Sequence, residues 1–558
     1  MLILIVTWQC KAQSPLIIPD TLVGPNYNLT MHLDSVQFFS NGPKSITLGY
    51  NSNHYLGPTL ILNKGASVNI TVNNQISDTT TVHWHGLHVP SKWDGGPHTP
   101  ILSGTTWNPQ FQVKDNAATY WYHPHLHEKT ALQAIKGAAG LIIVRDSIEA
   151  QLILPRKYGI DDIPLIVQCQ QFDSLNQALP LGMQDSTLLV NGTRTNNGNI
   201  AYLDLPAQIV RLRILNASGE RVFNFGFSGN KNFYQIASDG GLLNAPFDTT
   251  RLRLGPGERA EILISFIGMT GQSISLMSYA SEIPMGTQGG PTMPMIGGPP
   301  MDSPLNGVDF NVLDINVVSP TANPILTIPT SLVVNTPYLE SQSNTARKID
   351  FTAASDTIMD GPFYFNDSTF NMMRIDYIIP LNSIEVWTLV NKTMVAHPFH
   401  LHDEQFYILD RNGMPPPPSE QGRKDVVLVA PGDSVRIIAK FTEYTDSLIP
   451  YMYHCHILMH EDAGMMGQFI VSSSPVGIAD LFEQYQFELY PNPATVELNI
   501  KAEPNVEFSI EIFNLLGERV FYSSKRQIKI PTLQFESGLY IVKITSNKNT
   551  FIKKIIKQ

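Results

Sequence analysis

The placement of histidine constrains this chain more than any other feature. Fifteen histidines stand among 558 residues. Scattered at random they would form the pattern His-x-His about 0.4 times. The pattern occurs five times, at 83/85, 123/125, 125/127, 400/402 and 454/456. Successive side chains on a strand point to opposite faces, so residues i and i+2 share one. Each His-x-His therefore presents two imidazoles to one side of a strand. The surrounding text agrees. Short β-branched and aromatic runs such as SVNITV, TYWYH, AEILISF, VRIIAKF and FYILD are separated by Gly, Pro and Asn clusters, and no long stretch has a 3.6-residue period. An all-β protein is expected.

Charge narrows the function classes. Lys and Arg number 37 against 48 Asp and Glu, for a net charge of −11. An acidic chain is a poor partner for phosphate backbones, so nucleic-acid binding is not expected. Hydrophobic residues make up 43% and charged residues 15%, which excludes a disordered chain. No apolar run reaches the roughly 18 residues of a membrane helix. Three cysteines exclude a disulfide scaffold. The first residues, MLILIVTWQCKAQSP, read as a signal peptide over 1–13, with an apolar Leu2–Val6 run and a small residue at Ala12. No Lys or Arg precedes that run, so a start further upstream is expected. Cys10 offers a lipoprotein reading, for which Thr-Trp-Gln is a poor lead-in.

Internal repetition suggests how the chain is divided. The stretches LNKGASVNITVNN from Leu62, LPAQIVRLRILNAS from Leu205 and LNSIEVWTLVNKT from Leu381 share one plan: polar turn, alternating strand, polar stop. The turn Gly255-Pro256-Gly257-Glu258 has a counterpart in Ala430-Pro431-Gly432-Asp433. These repeats predict three related β-sandwiches, over 14–150, 151–320 and 321–474. Composition shifts after about Ser472, and 481–558 reads as a separate small β domain. Between 281 and 304 lies a Gly/Pro/Met loop, expected at the surface.

The chemistry sits in four segments: His83-Trp84-His85, His123-Pro124-His125, His397-Pro398-Phe399-His400-Leu401-His402, and His454-Cys455-His456 followed by His460 and Met465. Converging imidazole pairs suit Cu, Zn, Fe or Ni, and the pairs alone do not choose. The last segment does. Cys455 must face away from His454 and His456. It can then join His460, with His397 as second imidazole and Met465 as weak axial ligand, which is the blue-copper arrangement. One tripeptide would link an electron-transfer site to a histidine cluster. Zinc hydrolysis is the competing use of such histidines, but no helical HExxH pattern is present.

These segments, in this order and with WDGGP at 93–97, TYWYHPHLH at 119–127 and HCHILMHEDAGMM at 454–466, resemble the multicopper oxidase family, particularly three-domain bacterial laccases, cuprous oxidases and bilirubin oxidases. The resemblance covers roughly residues 20–472. It implies three cupredoxin-like Greek-key β-sandwich domains and about four coppers per chain. Carried over, a type 1 copper takes His397, Cys455 and His460 with Met465 axial. A type 2 copper takes His83 and His400. A type 3 pair takes His85, His123, His125, His402, His454 and His456. The middle domain is expected to supply no ligand. His88, His98 and His127 fall outside the pattern. The implied reaction is one-electron oxidation of a reducing substrate coupled to reduction of O₂ to water, with Asp94 and Glu461 handing over protons. Phenolic, laccase-type oxidation is the first substrate reading. Cu(I) oxidation is the alternative, because Met285, Met293, Met295 and Met301 crowd the loop and thioethers prefer Cu(I). A copper-free scaffold or electron carrier of the same fold is the reading from another class.

The tail resembles the C-terminal sorting domain of the type IX secretion system, through ELYPNPAT at 488–495, IFNLLGERV at 512–520, GLYIVKI at 538–544 and the basic end KKIIKQ. That implies passage through the periplasm by this secretion machinery to the surface or beyond. A monomer is expected. Cys169, in IVQCQQF, reads as a buried strand cysteine.

Overall fold

The computed structural model describes residues 12–180, 184–195, 199–292, 303–355, 361–473, 487–502, 507–514, 518–546 and 549–558. Residues 1–11 of the leader read over 1–13, and Met293, Met295 and Met301, lie outside the described residues. Two compact units result, Met1–Val471 and Ser472–Gln558. No helix among the described residues is long and apolar enough to cross a membrane.

Among the described residues of the first unit, the three largest apolar cores each lie between a pair of sheets. Leu60, Leu62 and Tyr120 from one sheet meet Leu29, Val68 and Ile70 from another in the first core. Ile163, Leu165 and Leu212 meet Phe223, Phe225 and Val312 in the second. Ile349, Trp387 and Val435 meet Phe399, Tyr453 and Cys455 in the third. Alternation does this locally. Along Ser67–Asn74, Val68, Ile70 and Val72 are buried while Ser67 and Asn69 are exposed.

The repeat read from sequence falls at equivalent places in the three sandwiches. Ser67–Asn74, Ile209–Asn216 and Ile384–Asn391 each pair in parallel with an earlier strand: Asn26–Val36, Asp162–Phe172 and Thr345–Ala353. Each also pairs antiparallel with a later one: Gln110–Gln112, Arg259–Ser265 and Ser434–Lys440. The first strand among the described residues, Ala12–Pro15, joins the middle sandwich, parallel to Asn199–Pro206.

The described residues of the second unit form a three-stranded and a four-stranded sheet around a core of Leu498, Ile510, Val542 and Ile555.

Candidate metal centre

Sheet register brings the histidine motifs together. In the first sandwich His83–His85 runs antiparallel to Ala118–His123, with His83 opposite His123 and His85 opposite Trp121. In the third, His397–Leu401 runs antiparallel to Tyr451–Cys455, with His400 opposite His454 and Phe399 opposite Cys455. The two sets interleave across the domain boundary. His83 stacks on His402 and His85 on His400, both with ring centroids 3.8 Å apart. The close approach of the DGG turn depends on Gly95. Its φ is +84°, and a Cβ there would lie 1.8 Å from the Val82 carbonyl oxygen, next to His83.

Donor atoms within 4.8 Å of one another form partly overlapping groups: His83 with His85 and His400; His83 with Asp94 and His402; His85 with His123 and His456; His125 with His402 and His454; and His397 with Cys455 and His460. Sequence left the six histidines of the pair unsorted. Geometry divides them into two triads.

The donor chemistry fits metal ions. Cys455 Sγ lies 3.5 Å from His397 Nδ1 and 3.6 Å from His460 Nδ1. Tetrahedral bonds of about 2.0 Å to nitrogen and about 2.3 Å to sulfur, the lengths seen for zinc, require such a separation. In the cluster, His125 Nε2 and His402 Nε2 lie 3.0 and 3.2 Å from His454 Nε2. The other nitrogens of His402 and His454 are occupied, His402 Nδ1 by Asp94 Oδ2 at 2.8 Å and His454 Nδ1 by the Cys455 carbonyl at 3.0 Å. Their Nε2 lone pairs therefore face inward. His83 Nε2, His400 Nε2 and both His456 nitrogens are buried without a hydrogen-bond partner. Such a set of orphans calls for a cation.

Electrostatics agree. Burial first, then neighbouring imidazoles, pushes His85, His123, His125, His400, His402 and His454 well below the usual range. His397 is pushed the same way by burial and by His460. Burial takes His456 and His460 down to about 3. Neutral imidazole is the ligating form. Burial likewise raises the Cys455 thiol, opposed by the Ile457 N–H that points at its sulfur. A bound cation would favour the thiolate in this apolar place.

Met465 is fully buried in the core that holds Cys455. Its carbonyl accepts the Cys455 N–H at 3.0 Å, and its own N–H reaches the His460 carbonyl at 2.8 Å. Asp94 and Glu461 are both buried against the cluster. Asp94 accepts at 2.8 Å from His402 Nδ1 through its carboxylate and from His83 Nδ1 through its carbonyl. Glu461 lies 3.4 Å from His125 Nδ1 and His454 Nδ1, and among the described residues neither of its oxygens meets a partner at full hydrogen-bond geometry. Burial, with the nearby Asp462 carboxylate, pushes its carboxyl well above the usual range. The remaining histidines stand outside these groups. His88 Nδ1 pairs with Asp403 at 2.8 Å, His98 Nε2 meets Gln468 at 2.7 Å, and His127 packs on Phe370. Asp425 and Arg259, absent from the motif reading, back the cluster. Asp425 Oδ1 lies 3.0 Å from His85 Nε2, and its carbonyl accepts from His400 Nδ1 at 2.8 Å. No spacing signal marks either residue. Cys169 is buried, as expected.

Comparison with known proteins gives the class. The multicopper oxidase family matches residues 32–149, 166–277 and 338–475, and residues 488–558 match a secretion system C-terminal sorting domain. Multicopper oxidase mco of Staphylococcus haemolyticus is 35% identical over 457 residues, covering 80% of this chain and 89% of that protein. Cell division protein FtsP of Sodalis glossinidius is 30% identical over 446 residues, covering 79% and 88%. The solved laccase-like multi-copper oxidase CueO from the lignin-degrading bacterium Ochrobactrum sp. superimposes with a TM-score of 0.71 at 32% identity, covering 82% of this chain and all of that one. The chain belongs to the multicopper oxidase family, and its sandwiches are cupredoxin-like.

Proposed function

We propose that the chain is a copper oxidase that draws electrons from a small reducing substrate and delivers them to dioxygen. One observation carries this reading. Cys455 faces His397 and His460 on one side of its strand, while its neighbours His454 and His456 face the cluster on the other. We assign His397, Cys455, His460 and Met465 to a mononuclear type 1 site, and His83 and His400 to a type 2 site. The triads His85/His123/His456 and His125/His402/His454 would form the type 3 pair, for about four coppers in all. Copper bound there would accept single electrons from the reductant and pass four to dioxygen, giving water.

The chain's own groups supply the rest. The Cys455 backbone joins its sulfur to His454 and His456 through covalent bonds alone. Phe363 packs against His397 and His460, with ring centroids 4.8 and 4.5 Å away, and keeps water from the sulfur. Glu461 holds a proton on its carboxyl beside His125 and His454, and Asp94 orients His402 and His83 while offering a second carboxylate. Copper analysis with a visible spectrum tests the reading. About four coppers per chain and a blue band are expected. Metal-replete protein that stays colourless would favour a copper-free scaffold, a reading that the relatives called cell division protein FtsP keep in view.

Phenolic substrates are the first expectation. Cu(I) is the second, for a specific reason. Met285 is 54% exposed and Met394 39% exposed. The Gly286 carbonyl beside Met285 accepts the N–H of Ala396, the residue before His397, at 2.8 Å. Two exposed thioether residues therefore flank the backbone that leads to the type 1 site. Deleting 285–301 is expected to lower Cu(I) oxidation and spare phenol oxidation. Equal rates on both before and after deletion would remove the Cu(I) reading. The sorting domain supports export by type IX secretion, with the oxidase acting at or beyond the cell surface.

A further inference from the structure

The middle sandwich contributes no histidine, yet two of its residues reach one half of the cluster. Arg259 begins the strand Arg259–Ser265 and is fully buried. Its guanidinium has five N–H donors, and all five are used. Nε donates to the Thr119 carbonyl of the first sandwich at 3.1 Å. Nη1 and Nη2 donate to the Gly257 and Asp239 carbonyls of its own sandwich, each at 3.0 Å. The same two nitrogens each hold one oxygen of Asp425, from the third sandwich, at 2.6 Å. Asp425 Oδ1 then meets His85 Nε2 at 3.0 Å.

The consequence is a reversed imidazole. A carboxylate pinned by a guanidinium can only accept, so His85 must carry its proton on Nε2 and present Nδ1. His85 Nδ1 indeed lies 3.2 Å from His123 Nε2. Its cluster neighbours His83, His123, His400, His402 and His454 are held the other way, each with Nδ1 on a protein oxygen. Space is tight around this relay. Gly86 has φ +87°, and a Cβ there would fall 2.4 Å from Asp425 Oδ2 and 2.8 Å from Arg259 Nη2. The turn before Arg259 also supports the triad. Gly257 has φ +83°, and a Cβ there would sit 2.9 Å from the His456 ring.

We propose that Arg259 is a positioning residue of the copper centre: through Asp425 it fixes the tautomer of His85 and so builds the His85/His123/His456 triad, making the middle domain part of a site to which it gives no ligand. The inference rests on the copper-oxidase reading above. Lysine cannot replace Arg259, since an ammonium offers three donors and no fork.

The test uses the full chain. In copper-free protein, histidine nitrogen chemical shifts should place the His85 proton on Nε2, and Asp425→Asn should scramble that assignment. With copper restored, Asp425→Asn and Arg259→Lys should each weaken retention of one copper by about 10–100-fold in dialysis. The blue absorbance should persist, because Cys455 lies on the far side of its strand. Should either single variant fold poorly, the double variant Arg259→Met/Asp425→Asn removes both buried charges. It should recover the melting temperature without recovering the copper. Full copper retention in these variants, or the parallel loss of blue band, copper and melting temperature, would overturn the proposal. A wild-type chain that takes up no copper at all would instead sink the parent reading, and the His85 shifts would still report on the relay.

Discussion

The strand Tyr451–Cys455 has two faces, and the sites on them are built by different means. The face of Cys455 belongs to one domain's core. Cys455, Phe399, Phe363, Trp387 and Met465 form one apolar cluster there. The opposite face is shared. Imidazoles from the first and third domains stack across it, walled by Asp94, Glu461 and Asp425. An electron needs a dry, rigid path and no proton. Dioxygen reduction consumes protons, so acids must be kept where water is scarce. On the proposed function, the contrast between apolar packing and buried acids follows this division of labour.

The comparison breaks most completely at the sulfur. Cys455→Ser keeps the side-chain volume and removes the soft donor. Substrate oxidation is expected to fall to background, with the blue band gone and copper still bound at the cluster. Metal analysis beside a visible spectrum checks this. Survival of the blue band would show that the assignment of the mononuclear site is wrong.

A smaller effect is expected from the acids on the other face. Glu461→Gln and Asp94→Asn each remove a titratable carboxyl while keeping hydrogen-bonding shape. Each should slow reoxidation by dioxygen by about 10²-fold, in the range of one general acid, and leave the blue band and the rate of its bleaching by substrate unchanged. Stopped-flow traces of the two half-reactions separate these steps. Wild-type reoxidation in both variants would end the proton role.

The difference in construction also explains what could be read from sequence. Strand alternation made the two faces legible, because His-x-His and His-Cys-His declare which side each residue takes. The repeat from Leu62, Leu205 and Leu381 fell at matching sheet positions for the same reason: apolar alternation and a polar stop define a strand in any sandwich. Division of the six histidines into triads was not legible, since it depends on how two domains meet. Asp425 and Arg259 were invisible as well. They lie 340 and 174 residues from His85, and an ion pair that closes across three sandwiches leaves no local spacing. The depth of Glu461 was not legible either: the motif names it as an acid, but only the short helix Leu458–Asp462 turns it fully inward.

Acid should challenge both faces together. His456 on the cluster and His460 at the sulfur are held at about 3 in the folded, metal-free chain. The unfolded value is about 6.5. The folded state thus binds fewer protons between these limits. Stability is complete above about pH 6.5 and lost as pH falls, by about 1.4 kcal/mol per unit for each histidine. Copper-free protein should melt progressively lower from pH 7 to pH 4, and copper-loaded protein much less, since bound metal excludes the proton. Parallel melting curves for the two forms would contradict the assignment of these imidazoles as ligands.

The finest test concerns one hydroxyl on the sulfur face. His397 Nε2 is buried and lies 2.8 Å from Thr393 Oγ1, its only acceptor among the described residues, while Nδ1 faces Cys455. Thr393→Val preserves shape and strands that N–H, at a cost of about 1–3 kcal/mol. Because the Thr393 hydroxyl bonds to Asn391, Val395 and His397, reoxidation by dioxygen should be unchanged. The reduction potential of the blue site should shift, and the melting temperature should drop by a few degrees, because the hydrogen bond supports the basicity of a ligand. Redox titration of the blue band alongside the oxygen half-reaction reads both faces in one variant. A change confined to the oxygen step would mean that the two sides of the strand are not separable.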